Sequence, residues 1–238
     1  QSFEPLQTPG QLVGDMVITS FGRGKPVSLL GGGLCLIKTA LNEQLNLKEL
    51  IAPAKKTTLL ALKIKAYNLL IKPLLYPLIN RNPLLSVGET HYKEKLAINA
   101  LDRQRLSWLE DNIQAYKKQS TAAQQSIEII LSEARVAGLQ KIVEGDDPRL
   151  GKLLRYPVLC ESEQKRNLLF EHLTARNLGA SALYGMALRK IRSLPKLPPS
   201  PATPHAEEFS KRLLTLPCHQ HVSDWHSNAT KALLLSQQ

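Results

Sequence analysis

The strongest constraint on the fold is a pair of short apolar runs joined by a glycine-rich loop near the start of the chain. Met16-Val17-Ile18 leads into Ser20-Phe21-Gly22-Arg23-Gly24-Lys25, and Gly31-Gly32-Gly33 precedes a second run, Leu34 to Ile37. Short apolar runs bounded by glycine read as strands, and the glycines between them as a tight connection. The spacing predicts strand, lysine-bearing loop, strand. Such a loop gathers a primary amine, a hydroxyl and several unhindered backbone amides in one short segment.

Those groups have a shared chemistry. A lysine amine, with a pKa of about 10.4, is protonated at neutral pH and a poor nucleophile. It becomes useful as an imine on an aldehyde: the imine exchanges with an incoming amine, and the released lysine then serves as a base. An aldehyde cofactor carrying a phosphate also needs hydroxyl and amide donors, which Ser20 and the glycines can supply. An ordinary strand–turn–strand with a surface lysine fits the same spacing, because S-x-x-x-x-K is a weak pattern by itself.

Composition narrows the partners. The chain has 238 residues, 43% of them hydrophobic, enough for one large domain or one and a half small ones. A net charge of +11 favours anionic partners: nucleotides, phosphorylated sugars, nucleic acid or an anionic membrane face. Aromatic residues are only 5%, a poor supply of base-stacking platforms, so a nucleic-acid partner is not expected. The cysteines, Cys35, Cys160 and Cys218, are odd in number and far apart. They read as free thiols in a reducing compartment, which points to the cytoplasm. Gln1-Ser2-Phe3-Glu4-Pro5 reads like the interior of a protein, and the chain is expected to be part of a longer one.

Three regions follow from pattern: 1–44 with the lysine loop, 45–95 as a basic leucine-rich connection, and 96–238 as helices with a small α+β domain. In the connection, lysines and prolines interrupt the apolar run, so two amphipathic helices broken by proline are expected. A helix lying on an anionic membrane surface, over residues 55–85, fits the same residues. Leu101, Leu106, Leu109 and Ile113, and later Ile127, Ile130 and Leu131, approximate helical spacing, with Gly138 as a stop. Leu153 to Cys160 reads as a strand, a Ser162-capped helix runs to about Asn177, and Ala180 to Tyr184 reads as a second short strand. Ala206 to Leu214 reads as a helix broken by Leu216-Pro217, and Ser223 caps a last helix to about Leu235. No P-loop, GxGxxG or GxSxG element occurs. Cys218-His219-Gln220-His221 with His226 is crowded for a tetrahedral metal site, and no metal is expected.

Four separated segments together carry a resemblance. Gly14 to Lys25 with Gly31 to Gly33 is similar to the lysine segment of the DegT-type (DegT/DnrJ/StrS) sugar aminotransferases, which are fold-type I pyridoxal-phosphate (PLP) enzymes. Leu154-Arg155-Tyr156-Pro157-Val158, Leu178-Gly179 leading to Tyr184, and Leu216-Pro217-Cys218-His219 resemble parts of that family's small domain, in the same order. The resemblance implies an α/β fold: the end of the PLP-binding large domain beside a C-terminal small α+β domain.

It also implies roles. The family's Schiff-base lysine falls on Lys25 and its phosphate-binding serine on Ser20. Gln1 looks like the residue that lies against the cofactor, which would place the family's ring-pairing aspartate upstream. The implied activity moves an amino group from an amino acid, glutamate by expectation, to a keto nucleotide-sugar in polysaccharide or amino-sugar synthesis, in a homodimer. There are departures: Leu30 stands where the glycine turn usually has a glutamate, and Gly88-Glu89-Thr90-His91-Tyr92 lacks the Asn and Arg of a phosphate-reaching loop. Arg189 stands near a position that often holds a substrate-facing His. A non-catalytic remnant of the family, acting through its basic leucine-rich segment on membranes or proteins, remains an alternative. A basic nucleic-acid-binding protein is a weaker one.

Overall fold

The computed structural model describes residues 14–39, 41, 51–54, 58–70, 98–133, 138–143, 151–182, 185–190 and 202–236. The chain divides into two compact units: Asp15–Arg23 with Leu29–Glu110, and Gly24–Ser28 with Asp111–Gln238 and Gln1–Gly14.

In the first unit, strands β1 (Met16–Ser20) and β2 (Gly33–Ile37) form an antiparallel hairpin, with Ile18 opposite Cys35 and Ser20 opposite Gly33. The strands fall where the two apolar runs place them. Gly33 must be glycine, because a Cβ there would lie 2.5 Å from the Thr19 carbonyl oxygen. Helix α1 spans Leu60–Leu70 in the basic connection. The lysine- and proline-rich residues beyond it, to 97, lie outside the described residues. Ala52 and Asn99 form an isolated parallel bridge, with the Ala52 amide donating to Ile98 O and the Ala100 amide to Ala52 O. Helix α2 (Arg103–Lys117) begins in this unit and continues into the second.

The second unit holds α3 (Ala122–Glu133), β3 (Leu139–Lys141), β4 (Arg155–Cys160), α4 (Glu163–Ala175), α5 (Pro204–Arg212), β5 (Leu213–Pro217) and α6 (Asp224–Leu235). The strands form an antiparallel sheet in the order β3-β4-β5. In β4, buried Tyr156, Val158 and Cys160 alternate with half-buried residues, the signature of one covered face. Tyr156 pairs with Leu216, and Val158 with Leu214, so four buried side chains share that face. Ile127 and Ile130 of α3, Leu169 and Leu173 of α4, and Leu233 and Leu234 of α6 complete the core over them. Each fully buried leucine contributes about 1.5–3 kcal/mol.

Local signals set the helix starts. The Ser162 hydroxyl accepts from the Lys165 amide at 3.1 Å, and the Ser223 hydroxyl from the His226 amide at 3.4 Å. Each satisfies a donor that the first helical turn leaves without a backbone partner.

Two expectations need correction. The helix expected to reach Leu214 ends at Arg212, and Leu213–Pro217 is strand β5, not a helix end broken by proline. Leu213, Leu214, Thr215 and Leu216 are all buried, and a short apolar run without alternation is equally compatible with helix and strand. Pairing with β4 decides it. The strand expected from Ala180 is, among the described residues, a single bridge between Ser181 and Thr215, closed by bonds of 3.0 and 2.9 Å; Leu183 and Tyr184 lie outside them. Strand β3 had no signal strong enough to read.

Candidate functional site

The loop from Phe21 to Gly32 is closed at its base by backbone bonds. The Phe21 amide donates to Gly32 O at 2.9 Å, and Phe21 O accepts from the amides of Leu29, at 2.9 Å, and Gly31, at 3.1 Å. Ser20 is exposed at the end of β1, and its hydroxyl oxygen accepts from the Gly22 amide at 3.1 Å. That bond orients the oxygen and leaves the hydroxyl proton able to donate outward. Lys25 is half-buried in the loop. Ser20 belongs to the first unit and Lys25 to the second, so the pairing of these two side chains rests on their spacing in the loop. Gln1, Thr90, His91 and Tyr184 lie outside the described residues, and Arg189 sits in a single 3-10 turn, Leu188–Lys190.

The donor set suits a phosphorylated aldehyde. An exposed hydroxyl oriented by a backbone amide can donate to a phosphate, and a primary amine can condense with an aldehyde.

The far side of the loop is held by a clamp that the sequence did not reveal. Arg105 Nε donates to Leu29 O at 3.0 Å, and its guanidinium is paired with the Asp102 carboxylate. Asp102 also accepts from the Arg105 amide at 2.9 Å, at the start of α2. Burial pushes the Asp102 carboxyl up, but the Arg105 amide and guanidinium outweigh it and hold the pKa below the ordinary value of 3.8. A carbonyl 76 residues away in the chain supplies no local signal, so only an Asp-x-x-Arg pair at a helix start was there to be read.

The three C-terminal segments that carry the resemblance come together in the second unit. Arg155 donates to Thr215 Oγ1 at 2.7 Å, Thr215 O at 3.0 Å and Gly179 O at 2.7 Å. Gly179 has φ +69°, and a Cβ there would lie 3.2 Å from Pro217 Cγ. These motifs lock a sheet edge to the turn after α4, and their work is structural.

The residues after β5 are engaged locally. Cys218 is buried, its thiol donates to Leu153 O at 3.1 Å, and burial pushes its pKa up to about 12. Cys160 is pushed up to about 11, again by burial. Neither is a nucleophile at neutral pH. His219 Nδ1 accepts from the His221 amide at 3.2 Å, and burial lowers its pKa to about 4, assisted by the charges of His221, Arg155 and His226. His226 Nδ1 is 2.7 Å from the Ser223 hydroxyl. Among the described residues no three His, Cys, Asp or Glu side chains are grouped to hold a metal ion. A recess of about 270 Å³ lined by His172, Ala175, Arg176 and Ser236 contains neither Ser20 nor Lys25.

Comparison with known proteins bears on all of this. Residues 98–232 match the DegT/DnrJ/EryC1/StrS aminotransferase family. A DegT DnrJ EryC1 StrS aminotransferase from Brucella abortus is similar in structure, with TM-score 0.57 and 16% identity, over 93% of this chain and 50% of that one. So is Helicobacter pylori PseC, an aminotransferase involved in the biosynthesis of pseudoaminic acid, with TM-score 0.56 and 16% identity over 94% and 53% of the two chains. DesI, solved in the presence of its TDP-sugar product, gives TM-score 0.57 and 18% identity over 94% and 49%. At these identities the likeness is one of fold. The chain spans about half the length of the solved structures it matches. No curated protein sequence matches it.

Proposed function

The chain belongs to the DegT/DnrJ/EryC1/StrS aminotransferase family, and from that premise we propose that it takes part in PLP-dependent transfer of an amino group to a keto nucleotide-sugar. The family match over residues 98–232 carries the reading. The mixed α/β fold shared with PLP-dependent aminotransferases supports it. The amino-group donor is an amino acid, glutamate by preference. The acceptor is a sugar joined to a nucleoside diphosphate, the class to which the TDP-sugar of DesI belongs. The net charge of +11 suits a diphosphate ligand.

PLP, when bound, supplies an aldehyde for amine exchange and an electron sink for the α-carbon of the amino donor. Lys25 Nζ would be the residue that holds the cofactor covalently, and as a free amine it would take the proton from the donor's α-carbon. Ser20 donates its hydroxyl proton to a phosphate oxygen while its own oxygen stays bound to the Gly22 amide. Gln1, by its resemblance to the family's residue at that place, would help hold the cofactor. The clamp from Arg105 to Leu29 O steadies the return limb of the loop. The protein works as a homodimer in the cytoplasm, and its products feed polysaccharide or amino-sugar synthesis.

The test is borohydride reduction of the protein from its natural source with PLP present, followed by peptide mapping. A pyridoxyl group on the peptide containing Lys25 is the expected result. An unmodified Lys25, in protein that is otherwise folded, would end the aminotransferase reading.

A further inference from the structure

Helix α1 is apolar on both of its sides. Its inner side is Leu60, buried, with Ile64 and Tyr67 half-buried, at positions i, i+4 and i+7. At 3.6 residues per turn, Leu62, Ala66 and Leu69 lie about half a turn away, again at i, i+4 and i+7. All three are exposed, Leu62 by 60% and Leu69 by 52%, and exposed Leu70 at 41% adjoins them. Exposed Lys63 and Lys65 stand on either side of this stripe. A surface helix normally turns polar residues outward, so an outward leucine stripe calls for a cover.

Charge identifies the cover. Residues 50–88 carry Lys55, Lys56, Lys63, Lys65, Lys72 and Arg81 and no aspartate or glutamate. A second copy would bring the same cationic segment against itself. A bilayer with anionic headgroups offers both what the leucines need and what the lysines need. At 11 residues, α1 is about 16 Å long, too short for a hydrocarbon core of about 30 Å, and no described helix is long and apolar enough to cross a membrane.

We propose that α1 lies flat on an anionic membrane surface, with Leu62, Ala66, Leu69 and Leu70 in the boundary between headgroups and acyl chains and Lys63 and Lys65 against the headgroup phosphates. The arrangement stands independently of the aminotransferase reading. It would hold the protein beside a membrane by a reversible contact that weakens with salt.

Flotation of the full chain with vesicles tests it, using phosphatidylcholine alone and phosphatidylcholine mixed with phosphatidylglycerol. The chain should float with the mixed vesicles and weakly or not at all with the neutral ones, and added salt should release it. Leu62→Gln combined with Leu69→Gln should weaken binding to the mixed vesicles by more than about tenfold. Lys63→Gln combined with Lys65→Gln should weaken it by about thirtyfold, the equivalent of about 1 kcal/mol per lysine. The four side chains are exposed, so thermal unfolding should be unchanged in both variants. If the leucine pair fails to fold, the lysine pair decides alone. Failure to float with mixed vesicles, or equal binding by wild type and variants, overturns the proposal. So does a wild-type dimer that becomes monomeric in light scattering on substitution of the leucines, because a second copy would then be the cover.

Discussion

The two units differ in what holds them together. In the second, residues of α3, α4, α6, β4 and β5 form one continuous buried cluster, and every member of it comes from Ile127 onward. In the first, the fully buried apolar side chains among the described residues are Phe21, Leu29 and Leu60, while Ile18 on β1 is 77% exposed. A two-stranded hairpin is marginal by itself. Among the described residues the unit that holds the hairpin and Ser20 has the smaller core, while Lys25 is grouped with the unit that carries the family's structural motifs, whose core is self-sufficient. The difference separates two kinds of motif. On the proposed function, lysine and serine in the loop would serve the reaction, whereas Leu-Arg-Tyr-Pro-Val, Leu-Gly and Leu-Pro-Cys-His pack the sheet and the turn beside it.

Substitutions should separate in the same way. Lys25→Ala should lower transamination by about a thousandfold or more while leaving the unfolding midpoint near that of wild type, since it removes the reactive amine and no core atom. A large loss of stability in that variant would mean that the loop, too, is a packing element. Leu216→Ala, at the centre of the second unit, should cost about 2–5 kcal/mol in denaturant unfolding. Little loss there would break the claim that this core is self-sufficient.

The next effect is a pH dependence belonging to the second unit. His219 has a folded pKa of about 4, lowered chiefly by burial, against an unfolded value of about 6.5. The unfolded chain binds that proton more readily, so the stabilisation is complete above about pH 6.5 and is lost as pH falls toward 4. Its size is on the order of 3 kcal/mol. His219→Gln should flatten stability over that window, and an unchanged slope would show that His219 protonates in the folded state without cost. Tyr156→Phe should have the smallest effect. The Tyr156 hydroxyl is buried without a hydrogen-bond partner among the described residues, so removing it should leave stability unchanged or raise it by up to about 1 kcal/mol in thermal unfolding.

Local signals were legible where the cause was local. The hairpin could be read because two apolar runs flank glycines. Helices α4 and α6 could be read because Ser162 and Ser223 bond amides within one turn. Membership of the aminotransferase family was legible from segments scattered along the chain, which are now seen to include the paired strands β4 and β5. Gly179 was recognised as a motif glycine, but its reason was hidden: a left-handed backbone pressed against Pro217, 38 positions on.

Other features were decided by contacts between distant residues. Leu213, Leu214 and Leu216 flank Thr215 without a clear period, and their conformation follows from β4, which supplies backbone partners that a helix would not use. Strand β3 exists because β4 offers an edge to pair with. The carbonyl of Leu29 is gripped by Arg105, and a backbone carbonyl has no side chain by which sequence could announce its partner. Helix α1 illustrates both kinds of cause. Its leucines and lysines could be read from the chain as apolar and basic, but which leucines face outward depends on Leu60, Ile64 and Tyr67 turning inward. Propensity, capping and charge act within a few residues of their source, whereas pairing and burial are set by whatever the folded chain brings alongside.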